Sequence, residues 1–361
     1  MRIESLTFFR FIAASIVVIF HYGRATALAS IAPRFLTAGP EMVTFFFVLS
    51  GYVLMIAYWN RDLHTKKFFR VRIARIAPIY YLALLAVLFL ESTDFGKRAI
   101  LLNTLFLQSW FPPYPLSINI PSWAISIEMF FYFSFPFVFW MLKSKSPQPF
   151  ILLVAAFSFW LFTQLILINL FNSPFYQPFP SISHDLIFYF PLSHLSTFLL
   201  GAAGGYYYLS GDRKTINNNW LLMFVFLATC VAIFYAISNE GALVRLFGTH
   251  IPFAAGFFAP LFTLLILIAT YAQKTLLLRW LGNRFFALLG NASYAIYIFQ
   301  LPFKQFMDVY IFPALELSND EFSFYIYFVA LILFSVLVFL LLEKPVQQLL
   351  TKNRKMSVGI N

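Results

Sequence analysis

The chain has 361 residues, of which 61% are hydrophobic, 21% aromatic and only 11% charged, and its mean hydropathy is +0.80. That composition excludes an ordinary soluble domain, and continuous apolar stretches near the roughly 20 residues of a spanning helix exclude a barrel of alternating strands. A net charge of +11 would suit nucleic acid, but the basic residues fall mainly in short loops between apolar stretches, where they set topology, so no nucleic-acid partner is expected.

The first apolar stretch, 5–24, carries Arg10 and His21. On an α-helix eleven residues rise about 16.5 Å and turn through three revolutions plus roughly 20°, so the two side chains share a face at different depths. Titratable groups inside a hydrocarbon layer line a bundle interior or wet cavity and mark a functional site; the plainer alternative is that both snorkel to headgroups. No small-residue cleavage site follows and further spans do, so this reads as a retained helix and not a signal peptide.

Further apolar stretches cover 41–59, 76–91, 99–111, 121–141, 149–170, 186–208, 219–238, 251–272, 285–307 and 322–342. Stretch 99–111 is short for a span and ends at Phe111-Pro112-Pro113. Leaving it uncrossed gives about ten crossings with both termini cytoplasmic. Lys143, Lys145, Arg213, Lys214, Lys274 and Arg279 then fall inside, while the outside loops keep Arg24, Arg34, Lys97, Arg98 and Arg245. The fold expected is an all-α polytopic membrane helix bundle of about ten transmembrane helices plus one short non-crossing segment. Residues 1–345 form the membrane domain and 346–361 a cytoplasmic C-terminal tail. Cys230, the one cysteine, lies in an apolar stretch, which leaves no intrachain disulfide and no thiolate metal site.

Polar residues concentrate at a few points. Arg72 and Arg75 stand three apart, on one face of any helix starting there, with Arg70 a turn behind. Guanidinium groups grip phosphates in forked pairs, so the cluster suits an anionic, phosphate-bearing ligand; a topology anchor on acidic lipid is the alternative. Ser126 and Glu128 enter the apolar zone on the crossing that opens at Pro121. A carboxylate at that depth should have a raised pKa or else a cationic partner, and His21 is an available one, either as a carboxylate–imidazole pair for proton chemistry or as a structural hydrogen bond between helices. Ser293, Tyr297 and Gln300 share roughly one face of the penultimate crossing, and Glu343 closes the last span where it can meet the arginines. His194 falls within an apolar stretch and can be buried; His64, His184 and His250 read as solvated. No histidine pair has metal-ligand spacing, and no phosphate-binding glycine loop or nucleophile elbow is present.

In order along the chain, several pieces resemble membrane acyltransferase family 3, the O-acyltransferases that decorate surface glycans. They are Arg10 with His21, Val43-Thr-Phe-Phe-Phe-Val-Leu-Ser-Gly51, Arg72-Ile-Ala-Arg75 with Pro78, Ser122-Trp-Ala-Ile-Ser-Ile-Glu128, Leu289-Gly-Asn-Ala-Ser-Tyr-Ala-Ile-Tyr297 and Glu343-Lys-Pro345. The resemblance implies a ten-helix membrane domain, acyl-CoA (acetyl-CoA expected) taken from the cytoplasm as donor, and a hydroxyl of a lipid-linked or surface glycan as acceptor. It also implies a bacterial inner-membrane location, contact with membrane lipid and room for a membrane or periplasmic partner protein.

His21, Arg10 and Glu128 are then the candidate catalytic residues, with His21 as general base or acyl relay. Arg70, Arg72, Arg75, Trp123, Ser126, Tyr297 and Glu343 are the candidate substrate contacts, and no metal is expected. Two departures stand out. Gln300 occupies a position where the family often has histidine, and the esterase-like domain that some members append is absent. A secondary transporter of an anionic or glycan-linked substrate is the alternative class, for which a repeat with paired broken helices would be the sign; none is visible.

Overall fold

A computed structural model describes residues 4–210, 218–317 and 321–351. Among them there is no strand, and nine helices are long and apolar enough to cross a membrane. The main helices are α1 (Glu4–Tyr22), α2 (Gly39–Tyr58), α3 (Thr65–Leu90), α4 (Trp123–Lys145), α5 (Pro149–Phe171), α6 (Pro191–Ser210), α7 (Asn219–Ser238), α8 (Ala259–Tyr271), α9 (Arg284–Phe306) and α10 (Glu321–Val338). Helix α8 is the shorter one, continued by a single 3₁₀ turn to Lys274, and with it every stretch expected to cross is helical. Arg213, Lys214 and the tail beyond Thr351 lie outside the described residues.

Stretch 99–111 forms a helix of only nine residues, Gly96–Thr104, followed by a turn at Gln108–Trp110. At 1.5 Å per residue it reaches about 13.5 Å, far short of a bilayer. Irregular backbone at this depth must be satisfied by protein. Tyr80 donates to the carbonyl of Asn103 at 2.8 Å, Gln108 Nε2 to the carbonyl of Ser122 at 3.0 Å, and Ser126 Oγ to the carbonyl of Phe106 at 2.6 Å. The same logic explains why α8 starts late. The turn before it is held by Trp160 Nε1 donating to the Gly256 carbonyl at 2.9 Å and Gln164 Nε2 to that of Ala255 at 3.1 Å.

Helix α2 is the inner post of the bundle, with 67% of its apolar window buried against 22% for the lipid-facing α5. It packs most intimately on α6. A Cβ on Gly201 would stand 2.0 Å from the Val48 carbonyl oxygen, and one on Gly51 2.1 Å from that of Phe198, so the two backbones touch where only glycine fits. A second approach of this kind joins α1 to α9, where a Cβ on Gly290 would meet the Thr7 carbonyl oxygen at 1.9 Å. These two contacts fix the walls of the space described below.

On the face opposite the basic loops, Arg34 bridges the buried Glu41 at 2.8 Å and Glu240, which ties the α1–α2 loop to the helix Glu240–Phe247. Burial, and next the neighbouring Glu41, raise the Glu240 carboxyl above the usual carboxylate range.

Replacing Gly201 with Leu is expected to abolish recovery of monodisperse protein in size-exclusion chromatography in detergent. Gly241→Ala, at a site where the nearest neighbour is Arg245 at 3.8 Å, should leave the profile unchanged.

Candidate active site

Val43, Phe46, Phe47, Ser50, Val53, Leu54 and Ala57 recur at three- and four-residue steps and form one stripe along α2. That stripe lines a cavity of about 680 Å³. The fourteen steps of about 1.5 Å from Val43 to Ala57 give the cavity a length of about 21 Å along the helix. The other walls are the first turns of α1 up to Arg10, the start of α3 with Arg72 and Arg75, the start of α4 with Ala124, Ile125, Glu128 and Tyr132, and α9 from Asn291 to Tyr297. The mouth is closed in by Glu343, Lys344, Gln347 and Gln348. Glu343 is the last residue of a π-helical turn, Phe339–Glu343, whose wider winding precedes the helix Lys344–Thr351. The helix Lys344–Thr351 packs against α3.

The lining changes character along its length. Near the mouth lie four cations (Arg10, Arg72, Arg75 and Lys344) and two carboxylates (Glu128 and Glu343), leaving two positive charges in excess. Beyond Arg10 the walls are Val43, Phe46, Phe47, Ala124 and Ile125, with the hydroxyls of Ser293 and Tyr297 among them. Arg72 is 9% exposed and sits among the rings of Tyr58, Phe68 and Tyr132 at 5.4 to 5.8 Å, with a long contact of 3.4 Å to the Tyr58 hydroxyl. Its Nε has no protein partner. Glu128 accepts a hydrogen bond from Tyr132 at 2.6 Å, and Glu343 accepts one from Gln347 at 3.0 Å. Both carboxylates act on Arg10 and Arg75 through space, yet among the described residues none of these pairs closes to a salt bridge. The guanidinium donors thus point into the cavity uncommitted, while the carboxylates keep them from being an unbalanced buried charge.

Arg10, Arg72, Arg75, Glu128, Tyr297 and Glu343 meet in one cavity. His21 does not line it. Its half-buried ring packs against Phe20 at 5.0 Å and Tyr22 at 5.9 Å, and no described residue hydrogen-bonds to it. Gly39 abuts Phe20, and the cavity ends at Val43 one turn further along α2, so about 6 Å of packed bundle separate the closed end from the level of His21.

The expected Glu128–His21 pair is absent, because Glu128 lies on the arginine side of that layer. Arg70 is exposed and off the cavity: two residues from Arg72, it is turned about 200° away on the helix. Trp123 and Ser126 share the opposite face of α4. Trp123 packs on Phe47, Tyr189 and His194, and Ser126 holds the backbone of Phe106. His194 is buried with Nε2 2.9 Å from the Phe188 carbonyl. His184, expected in solvent, is packed on Phe188 beside Asp185, whereas His64 and His250 are exposed.

Cavity residues that the sequence reading passed over are Tyr132, Tyr294, Asn291, Lys344 and Gln347. Tyr132 had a usable signal, standing four residues after Glu128.

The described residues thus form a membrane helix bundle around a cavity that is cationic at its mouth and apolar at its end. Residues 3–344 match the family model for an acyltransferase domain. The chain belongs to that family, membrane acyltransferase family 3. No curated protein and no solved structure matches it.

Glu128→Ala removes the acceptor of the buried Tyr132 hydroxyl and one of two carboxylates balancing the arginines. A loss of about 1–3 kcal/mol is expected, with Glu128→Gln losing less, as read by thermal unfolding in detergent.

Proposed function

We infer that the protein moves an acyl group, acetyl being the expected one, from acyl-CoA to a hydroxyl of a lipid-linked or surface glycan. The observation that carries this reading is the gradient inside the cavity. Coenzyme A places its phosphates at one end and its thioester at the tip of an uncharged arm. Arg72, Arg75 and Lys344 at the mouth suit the phosphates, with the planar guanidinium groups offering forked, charge-assisted hydrogen bonds. The apolar end framed by Val43, Phe46 and Phe47 suits the acyl tip. Basic residues gather on the mouth's side of the bundle, which supports a cytoplasmic donor entrance and cytoplasmic termini in a bacterial inner membrane.

On this reading His21 serves the acceptor side. It takes the proton of the incoming hydroxyl as the oxygen attacks the thioester carbonyl, or carries the acyl group transiently. Arg10, on the same face of α1 but lining the cavity, acts on the donor, and Glu128 holds Arg10 and Arg75 in balance while it does so. The six or so ångströms of packing between the closed end and His21 separate the donor side from the acceptor side.

The test uses purified protein in lipid nanodiscs with radiolabelled acetyl-CoA and extracted lipid-linked glycan. His21→Ala should reduce transfer by about 10²–10⁴-fold. Its acetyl-CoA affinity should stay within about threefold of wild type, since removing a group that makes no donor contact costs little of the binding energy. Arg75→Ala should instead raise KM for acetyl-CoA by about tenfold or more, the loss of one charge-assisted hydrogen bond. Glycan flux that needs no donor would overturn the reading in favour of transport.

A further inference from the structure

Three tyrosines line the cavity: Tyr132, Tyr294 and Tyr297. Two have their hydroxyls committed. Tyr132 donates to Glu128 at 2.6 Å, and Tyr294 donates to the Ile76 carbonyl at 3.0 Å, tying α9 to α3. The third is uncommitted: Tyr297 makes no hydrogen bond through its hydroxyl to any described residue. Its ring is held in place, being 6% exposed and meeting the ring of Phe46 at 6.0 Å. One turn below on α9, Ser293 is fully buried, lines the same cavity and leaves Oγ without a partner. A helical serine usually returns its hydroxyl to the carbonyl four residues back, and this one does not. Residues four apart share a helix face, so Ser293 and Tyr297 stand on the same wall of the cavity, with the Ser293 Oγ buried just behind its surface.

Unpartnered hydroxyls are costly in so dry a place unless a ligand atom completes them. Their surroundings state what that atom is. Around them stand Val43, Phe46 and Ile125, with the Glu128 carboxylate near enough to act on Tyr297 through space, so the place repels an anion and suits an uncharged, largely apolar group that brings a hydrogen-bond acceptor. A thioester carbonyl has both properties.

We propose that Tyr297, assisted by Ser293, donates the hydrogen bond that holds the donor's thioester carbonyl and stabilises the oxyanion formed when that carbonyl is attacked. The inference rests on the acyl-CoA reading above. In the step, the acceptor oxygen bonds to the carbonyl carbon, the hydroxyl proton passes to the base that serves the acceptor side, and the carbonyl π pair moves onto the oxygen facing Tyr297. When the pair returns, the carbon–sulfur bond breaks and the coenzyme A thiolate leaves and takes the proton. Fixed donors aimed at a developing charge in a water-poor site are the strongest single contributors to acyl-transfer rates.

The experiment compares wild type, Tyr297→Phe and Ser293→Ala in nanodiscs, with acetyl-CoA carrying a ¹³C-labelled carbonyl. Tyr297→Phe keeps the ring and its packing, so its unfolding temperature should match wild type. Its kcat should fall by about 10²-fold or more, with KM for acetyl-CoA changed by less than about threefold. Ser293→Ala should lower kcat by a smaller factor, about three- to tenfold. In infrared difference spectra the labelled carbonyl should absorb at lower frequency on wild type than in buffer, and Tyr297→Phe should reverse that shift. A Tyr297→Phe enzyme with kcat within about twofold of wild type, or one altered in KM alone, would overturn the proposal while leaving the acyl-CoA reading standing. Wild-type protein that neither binds nor consumes acetyl-CoA would overturn both.

Discussion

The bundle is shaped by the need to keep guanidinium groups out of a dry interior. Arg10, Arg72 and Arg75 line the interior of a largely apolar bundle, and a bare cation in hydrocarbon is too costly to persist. The chain meets this demand with space and with opposite charge. A cavity gives the guanidinium groups a solvated or ligand-filled side, and Glu128 and Glu343, from helices far apart in the sequence, supply compensation without closing on them. Had those carboxylates formed tight ion pairs, the arginines would be neutralised and useless to an anionic ligand. Standing apart, they lower the cost of burial and leave donors free.

Holding such a cavity open requires the rest of the structure to be rigid. Helix association in lipid draws little on the hydrophobic effect and leans on close packing, which is what the backbone contacts of Gly51 and Gly201, and of Gly290 with Thr7, provide. The first pair fixes α2, which runs the full length of the cavity. The second fixes Arg10 against Tyr294 and Tyr297, since it lies one turn below Arg10 on α1 and two turns below Tyr297 on α9. Irregular backbone is confined to places where side chains such as Gln108, Trp160 and Gln164 complete it.

Much of this is legible from residue spacing, and the failures are instructive because spacing also explains them. Arg72 with Arg75, and Arg10 with His21, were placed on common faces by the 100° step of the helix, and the short stretch 99–111 was excluded as a span by length. The same arithmetic argues against grouping Ser126 with Glu128 or Arg70 with Arg72, pairs two residues and about 200° apart, and in both the structure sends the partners to opposite sides. What spacing does not contain is where a cavity stops. Arg10 and His21 share a face of α1, yet the cavity ends between them, because its closed end is made by Val43, Phe46 and Tyr297 from two other helices. Pairing Glu128 with His21 failed for that reason: a carboxylate near the start of α4 was matched to the nearest cation by depth, without the layer of rings that separates them.

That layer has a chemical use on the proposed reading. A thioester is open to attack by water as well as by a sugar hydroxyl, and a cavity running the whole way to His21 would give water on the acceptor side access to the donor. With the closed end about one helical turn short of His21, water on the acceptor side has no passage to a carbonyl seated there. The imidazole and the guanidinium groups then need not touch, and their separation along α1 is itself the device that favours transfer over hydrolysis. The two hydroxyls of α9 stand at the end of the donor side, where a carbonyl about to cross that gap would need them.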